Sequence, residues 1–212
     1  MKPETKTKRS REWEEDGWSR CNVPERYRYA HLLDFPGTGQ DTVEAMNQGR
    51  WLFAEGQLGT GKTHYLVAVC RCAFIAGRRT RFDYVPDLLG RIKASIGRGS
   101  GTETDEIIRY YREVPVLALD DISAARATEY AVEILDQIVN WRYGSAIRDS
   151  GVRKVMQEAG ELKPKHPRAR LLTAVSANLS LEDLGEMFPR SASRIREAAR
   201  RIPLLEVRPE RS

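Results

Sequence analysis

The sequence predicts an α/β fold in which a parallel sheet is flanked by helices, and three observations carry that reading. From Arg50 onward, short apolar runs alternate with longer amphipathic ones, the pattern of strands joined by crossover helices. The first apolar run leads into Gly56-Gln57-Leu58-Gly59-Thr60-Gly61-Lys62-Thr63, which matches G-x-x-x-x-G-K-[ST] in full. A later run, residues 114–119, ends on the acidic pair Asp120 and Asp121. Glycine-rich loop and strand-end acids in this order predict a P-loop nucleotide-binding fold.

In chain order, residues 1–21 form a charged arm carrying Lys6, Lys8, Arg9 and Arg11, expected to be mobile, and residues 22–212 form one domain. Strands are predicted at 51–54, 81–85, 114–119, 171–176 and 204–207. Pro115 falls in the first residues of its strand, where a missing N–H donor is tolerated. A helix over 62–76 stacks Leu66, Val69, Ala73 and Phe74 on one face, and one over 128–143 stacks Ala131, Ile134, Leu135, Ile138 and Trp141. Between them, Leu88, Leu89, Ile92 and Ile96 mark a helix after the second strand. Ser180 with Asp183 reads as an N-cap opening a helix through Leu184 and Met187, and 190–200 continues as a basic helix. Residues 144–168 are polar and exceed an ordinary connection. They are expected to carry a helix around 152–159, as a surface insertion or as a contact surface. No C-terminal lid domain is evident.

Composition narrows the class. Apolar residues are 41% and charged residues 31% of the chain, ordinary for a globular protein and unlike a disordered chain or a membrane bundle. No apolar run approaches the ~20 residues of a membrane-spanning helix. The N-terminal charges have no apolar segment behind them, so a cytoplasmic protein is expected. Three cysteines, with Cys70 and Cys72 on an apolar helix and Cys21 distant, make neither a disulfide framework nor a zinc knuckle. The net charge of +5 suits an anionic partner such as nucleic acid, though it points there only weakly.

The predicted chemistry follows from residue types at fixed places. Glycines let backbone N–H groups wrap phosphates at the positive end of a helix, Lys62 reaches the β- and γ-phosphates, and the Thr63 hydroxyl completes a Mg²⁺ shell. His64, next along, is grouped with the loop as a nucleotide contact. Asp120 is expected to hold Mg²⁺ through water and Asp121 to polarise the attacking water. Asn178, ending the run from 171, is placed to orient that water. The expected cofactors are ATP and Mg²⁺.

Several segments, in order, resemble the AAA+ ATPases of the DnaC-type helicase loaders and the IstB transposition ATPases. They are Val23-Pro-Glu-Arg-Tyr-Arg and Leu33-Asp-Phe before the loop, Gly59-Thr-Gly-Lys-Thr-His64, Leu119-Asp-Asp-Ile122, and Thr128-Glu129 opening a helix that ends Asn140-Trp-Arg-Tyr143. Ser176-Ala-Asn-Leu-Ser180 and Ser193-Arg-Ile195 follow. The resemblance implies an AAA+ core, an acceptable aspartate at 121, Asn178 as sensor I, and Arg194 as an arginine finger completing a neighbouring subunit's site. Arg190, one helical turn earlier, competes for that role. It also implies that the segment after the second strand lines a groove for nucleic acid, through Tyr84 by stacking and Arg91, Lys93 and Arg98 by phosphate contact. The expected partners are single-stranded DNA and a replicative helicase, or a transposase on duplex DNA, with the chain acting as a homo-oligomer. From another class, a small-molecule P-loop kinase would need neither DNA nor oligomers; the Asp-Asp pair, Asn178 and the lack of an arginine-rich lid stand against it. A binding module with a vestigial site is opposed by the complete motifs.

Overall fold

The alternation of strands and helices is realised in a computed structural model that describes residues 17–97, 101–158 and 171–204. In chain order the elements are α1 (Thr38–Asn47), β1 (Trp51–Glu55), α2 (Lys62–Ile75), β2 (Thr80–Tyr84), α3 (Val85–Gly97), α4 (Gly101–Glu113) and β3 (Val116–Asp120). There follow α5 (Glu129–Glu158), β4 (Leu172–Ala177), α6 (Leu181–Met187), α7 (Pro189–Ala198) and β5 (Ala199–Pro203). All strands pair in parallel, in the order β2-β3-β4-β1-β5.

Central strands in such a sheet are covered on both faces and therefore read as continuous apolar runs. Trp51, Phe53, Leu117, Leu119 and Val175 pack into a core shared with α3 to α7. The alternate residues Leu52, Ala54, Val116, Ala118 and Ala174 pack into a second core under α2 and the N-terminal segment. Helix α2 closes as the amphipathic spacing predicts: Gly77, at φ +77°, bends the chain while Gly77 N–H and Arg78 N–H return to the Phe74 and Ala73 carbonyls.

Four expectations need correction. The chain from Gly17 to Cys21 is part of the domain rather than of an arm: Trp18 is buried with its ring 5.4 Å from Phe74, and Cys21 O accepts from Phe82 N–H at the sheet edge. Residues 1–16 lie outside the described residues. Among the described residues the last strand is Ala199–Pro203, and the basic helix stops at Ala198; of the strand expected at 204–207, residues 205–207 lie outside the described residues. Arg200 and Arg201 disguise that strand, since they are exposed at the edge of the sheet while Ala199 and Ile202 turn inward, and a proline at an edge costs no ladder bond. The stretch 144–158 makes no separate helix but extends α5 without a break. Gly144 costs only ~1 kcal/mol within a helix, and the Arg, Lys, Gln, Glu and Met beyond it are good helix formers. Residues 159–168 are outside the described residues. Helix α4, finally, was not anticipated. Smaller shifts accompany these: Val85 opens α3 instead of ending β2, and Pro115 sits just before β3.

Two buried charges hold the frame around the site. Arg142 on α5 is fully buried and donates to the carbonyls of Tyr111, Arg112, Val114 and Leu172 and to Thr173 Oγ1, which fastens α5 to the entries of β3 and β4. Burial, with a smaller push from Arg78, brings its pKa down to about 9. Asp83 on β2, also fully buried, accepts from Arg81 Nε at 2.6 Å, Tyr111 OH at 2.7 Å, Asn22 Nδ2 at 2.6 Å and Arg91 Nη2. One carboxylate thus ties the N-terminal segment, β2, α3 and α4 together. Asp83→Ala leaves the buried Tyr111 hydroxyl without its acceptor and two partly exposed guanidinium groups without their carboxylate, and should cost ~1–3 kcal/mol of stability. The urea midpoint should fall at an unchanged slope; a loss below ~1 kcal/mol would show that the hub is dispensable.

Candidate active site

The P-loop leaves β1, Asp120 ends β3, and Asn178 follows β4, so the site draws on the carboxyl ends of three neighbouring strands. This is where an open parallel sheet offers a crevice. A cleft of about 1260 Å³ lies here, lined by the loop, Asp120, Asp121 and Asn178.

Within the loop the glycines answer specific demands. Gly59 and Gly61 take φ of +86° and +87°, the left-handed region that side chains resist. A Cβ on Gly56 would lie 2.6 Å from the Leu204 carbonyl and 2.8 Å from Thr60 Oγ1. Gly61 is also the N-cap of α2 and brings no side chain to its first N–H groups, which have no partner within the helix and favour an anion. Lys62 Nζ donates to the Gly56 and Gln57 carbonyls at 2.8 and 2.6 Å, which folds the ammonium over the loop. Burial lowers its pKa, while the charges of Asp121 and Asp120 pull it back up.

Thr63 Oγ1 donates to Asp120 Oδ2 at 2.9 Å, so the two expected metal ligands already meet. Burial raises the Asp120 pKa, opposed by its bonds from Ser176 and Thr63. Asp121 follows in the left-handed region, φ +51°, which swings its carboxylate away from the strand and toward Asn178, whose Nδ2 donates to Asp121 Oδ2 at 2.9 Å. Hydroxyl oxygen, two carboxylates and an ammonium over a left-handed glycine loop form a donor set that fits Mg²⁺ with a nucleotide triphosphate.

His64 turns to the opposite wall. Its Nε2 lies 2.8 Å from Asp34 Oδ2, and its ring stacks on Tyr27 at 5.7 Å and meets the edge of Phe35 at 5.2 Å. Pro24, Arg26, Tyr27 and Phe35 line the cleft there, residues for which the sequence alone suggested no role in the site. Their signal was the cluster of aromatic and proline residues just upstream of a P-loop.

Of the expected DNA contacts, Tyr84, Arg91 and Lys93 fall among the described residues. Tyr84 lines the cleft beside Asp87, and burial, then the charges of Asp121, Asp87 and Asp120, raise its pKa. Arg91, with its side chain 41% exposed, donates through Nη2 to Asp83 and Tyr111. Arg81 and Asp83, two apart in one strand, share a face, and that spacing was the available hint of the hub. Lys93 is exposed on α3, and Arg98 lies outside the described residues. Arg194 is on α7, away from its own cleft. Its guanidinium lies 4.8 Å over the Tyr143 ring, with Nε donating to Asn140 Oδ1 at 3.3 Å and Nη1 3.5 Å from Glu197. Arg190 lines a shallow groove with Glu129, Glu133 and Asp136 of α5. Among the described residues, no helix is long and apolar enough to cross a membrane.

No protein-family model matches the chain. Over 97 residues it is 30% identical to the replicative helicase loader DnaC of Escherichia coli strain K12, an alignment covering 46% of this chain and 39% of that one. The chain therefore spans well under half the length of this curated relative. A crystal structure of the DnaC helicase loader superposes with a TM-score of 0.65 at 21% identity, covering 86% of this chain and all of that one. The replication initiator DnaA bound to AMPPCP and single-stranded DNA superposes at 0.63 with 18% identity, covering 86% and 51%. Over somewhat less than half of its length the chain is thus similar in sequence to the DnaC-type helicase loaders, and its fold is that of the P-loop AAA+ domains.

Proposed function

We propose that the chain binds MgATP in this cleft and hydrolyses it as a DNA-replication accessory factor of the helicase-loader type. The observation that carries the reading is the meeting of Thr63, Asp120, Asp121 and Asn178 beside Lys62 at the ends of β1, β3 and β4. The loop N–H groups and Lys62 bind the β- and γ-phosphates. Asp121, steadied by Asn178, accepts the proton of the attacking water and aims its lone pair at the γ-phosphorus. Magnesium, held by Thr63 and through water by Asp120, would offset charge on the phosphate oxygens. The nucleobase end lies toward Tyr27, Phe35 and His64, where stacking excludes water.

A replicative helicase as protein partner, single-stranded DNA as ligand and a cytoplasmic location are part of the same proposal. The DnaC relative supports the first, and the DnaA neighbour and the positive balance support the second. Lys93 is exposed on α3 and is proposed as a phosphate contact. The comparisons favour replication over transposition or a small-molecule kinase.

ATP turnover measured with single-stranded DNA, duplex DNA or the replicative helicase of the same host tests the reading. The parent should hydrolyse ATP at a rate that single strands or the helicase alter, and Lys62→Ala should lose binding of a fluorescent ATP analogue. Response to duplex alone would transfer the protein to transposition, and unchanged nucleotide affinity in Lys62→Ala would dismiss the site.

A further inference from the structure

We propose that Ser123 and Ser176 are positioning residues that join Asn178, Asp121, Asp120 and Thr63 into one hydrogen-bonded unit, an inference that rests on the ATPase reading above. Each serine does the same job in a different place. Ser176 Oγ accepts from Asp121 N–H at 2.8 Å and donates to Asp120 Oδ1 at 2.6 Å. Ser123 Oγ accepts from Asn178 N–H at 2.9 Å and donates to Asp121 Oδ1 at 2.7 Å. A hydroxyl suits both places because it can accept from a backbone N–H and donate to a carboxylate at once. No apolar side chain of that size can do either.

The two relays share members. Asn178 reaches Asp121 through Ser123 and again directly through Nδ2, Asp121 reaches Asp120 through Ser176, and Asp120 reaches the P-loop through Thr63. Residues more than fifty positions apart are thereby fixed to one another. The geometry is prepared by the backbone: Asp121 in the left-handed region starts the turn Ile122–Ala124, with Ala124 N–H bonded to Asp121 O and Ile122 buried beneath. That turn brings the Ser123 hydroxyl back onto the carboxylate of Asp121. Ser176 has no exposed surface, so its bonds to Asp120 and Asp121 escape competition from water.

Each oxygen of Asp121 is thus held by a different donor, Oδ1 by Ser123 and Oδ2 by Asn178. Two donors fix the plane of the carboxylate and leave its remaining lone pairs toward the cleft. Without Ser123 the carboxylate keeps one tether and can rotate, while the phosphate-binding loop is untouched. Removing Ser123 should therefore lower turnover without weakening ATP binding.

Steady-state kinetics and nucleotide titration of the full chain separate these effects. Ser123→Ala should reduce kcat about tenfold, the scale of one bond to a charged group, with KM for ATP and analogue affinity within about twofold. Ser123→Thr, which keeps the hydroxyl, should recover most of the rate. In an Asp121→Asn background, followed by single turnover, Ser123→Ala should cause little further loss, because the acid it positions is gone. The melting temperature of each variant reads folding independently. Normal turnover in Ser123→Ala, an equal loss in both backgrounds, or a rate lost together with ATP affinity would each overturn the inference. A parent protein that binds ATP but never hydrolyses it would instead overturn the functional reading, and this inference with it.

Discussion

An Arg194→Ala protein should bind ATP as tightly as the parent and hydrolyse it at least ~10³-fold more slowly, and mixing it with Lys62→Ala protein should restore part of the activity. The expectation starts from charge. Of the residues lining the cleft, Lys62 and Arg26 are the cations, and Arg26 sits at the Tyr27 end with its guanidinium 4.5 Å over that ring. Only Lys62 folds over the loop that would hold the γ-phosphate. P-loop enzymes commonly add an arginine finger that contributes ~10³–10⁵ in rate.

Arg194 does not line its own cleft, its side chain is 40% exposed, and a long hydrogen bond to Asn140 and the ring of Tyr143 are what hold it against α5, Glu197 being a partner on its own helix. A neighbouring subunit's nucleotide is therefore its proposed target. Lys62→Ala subunits keep Arg194 and can lend it to an intact loop next door, which is why two inactive proteins should complement. Arg190→Ala serves as the comparison, since Arg190 lies against the acidic face of α5. Failure to complement in variants that co-assemble, or an unchanged specific rate for parent diluted to monomer, would return Arg194 to a structural role with Tyr143 and Glu197.

What could be read from the sequence was what local spacing encodes. The P-loop, the acids ending β3 and the N-cap of α6 each depend on residues within a few positions, and Ser180 Oγ does accept from Asp183 N–H at 3.1 Å. Burial on both faces made β1, β3 and β4 legible as apolar runs. Illegible were features that exist only between distant segments. Asp83 finds Asn22 and Tyr111 across long stretches of chain, and Arg91, whose charge suggested a phosphate contact, is a further partner of the same carboxylate. Ser123 and Ser176 carry no signature, because a serine in a turn or a buried strand is ordinary until its partners are known. β5 was missed because edge strands can carry charge on the exposed side, and the helix of 30 residues takes in the first part of the polar segment, as far as Glu158.

Replacing Asp121 with asparagine tests the central claim most directly, because it changes one oxygen and leaves the loop, Lys62 and Thr63 in place. Asparagine keeps the shape and can still accept from Ser123 or Asn178, but it cannot take a proton from water. Equilibrium binding of a fluorescent ATP analogue and single-turnover hydrolysis of ATP should be measured on the same preparation. Binding should match the parent within about twofold, and hydrolysis should fall at least ~10²-fold, the scale of a lost general base. Parent-like hydrolysis by the variant would contradict the account, since Asp121 would then be only a structural member of the turn after β3.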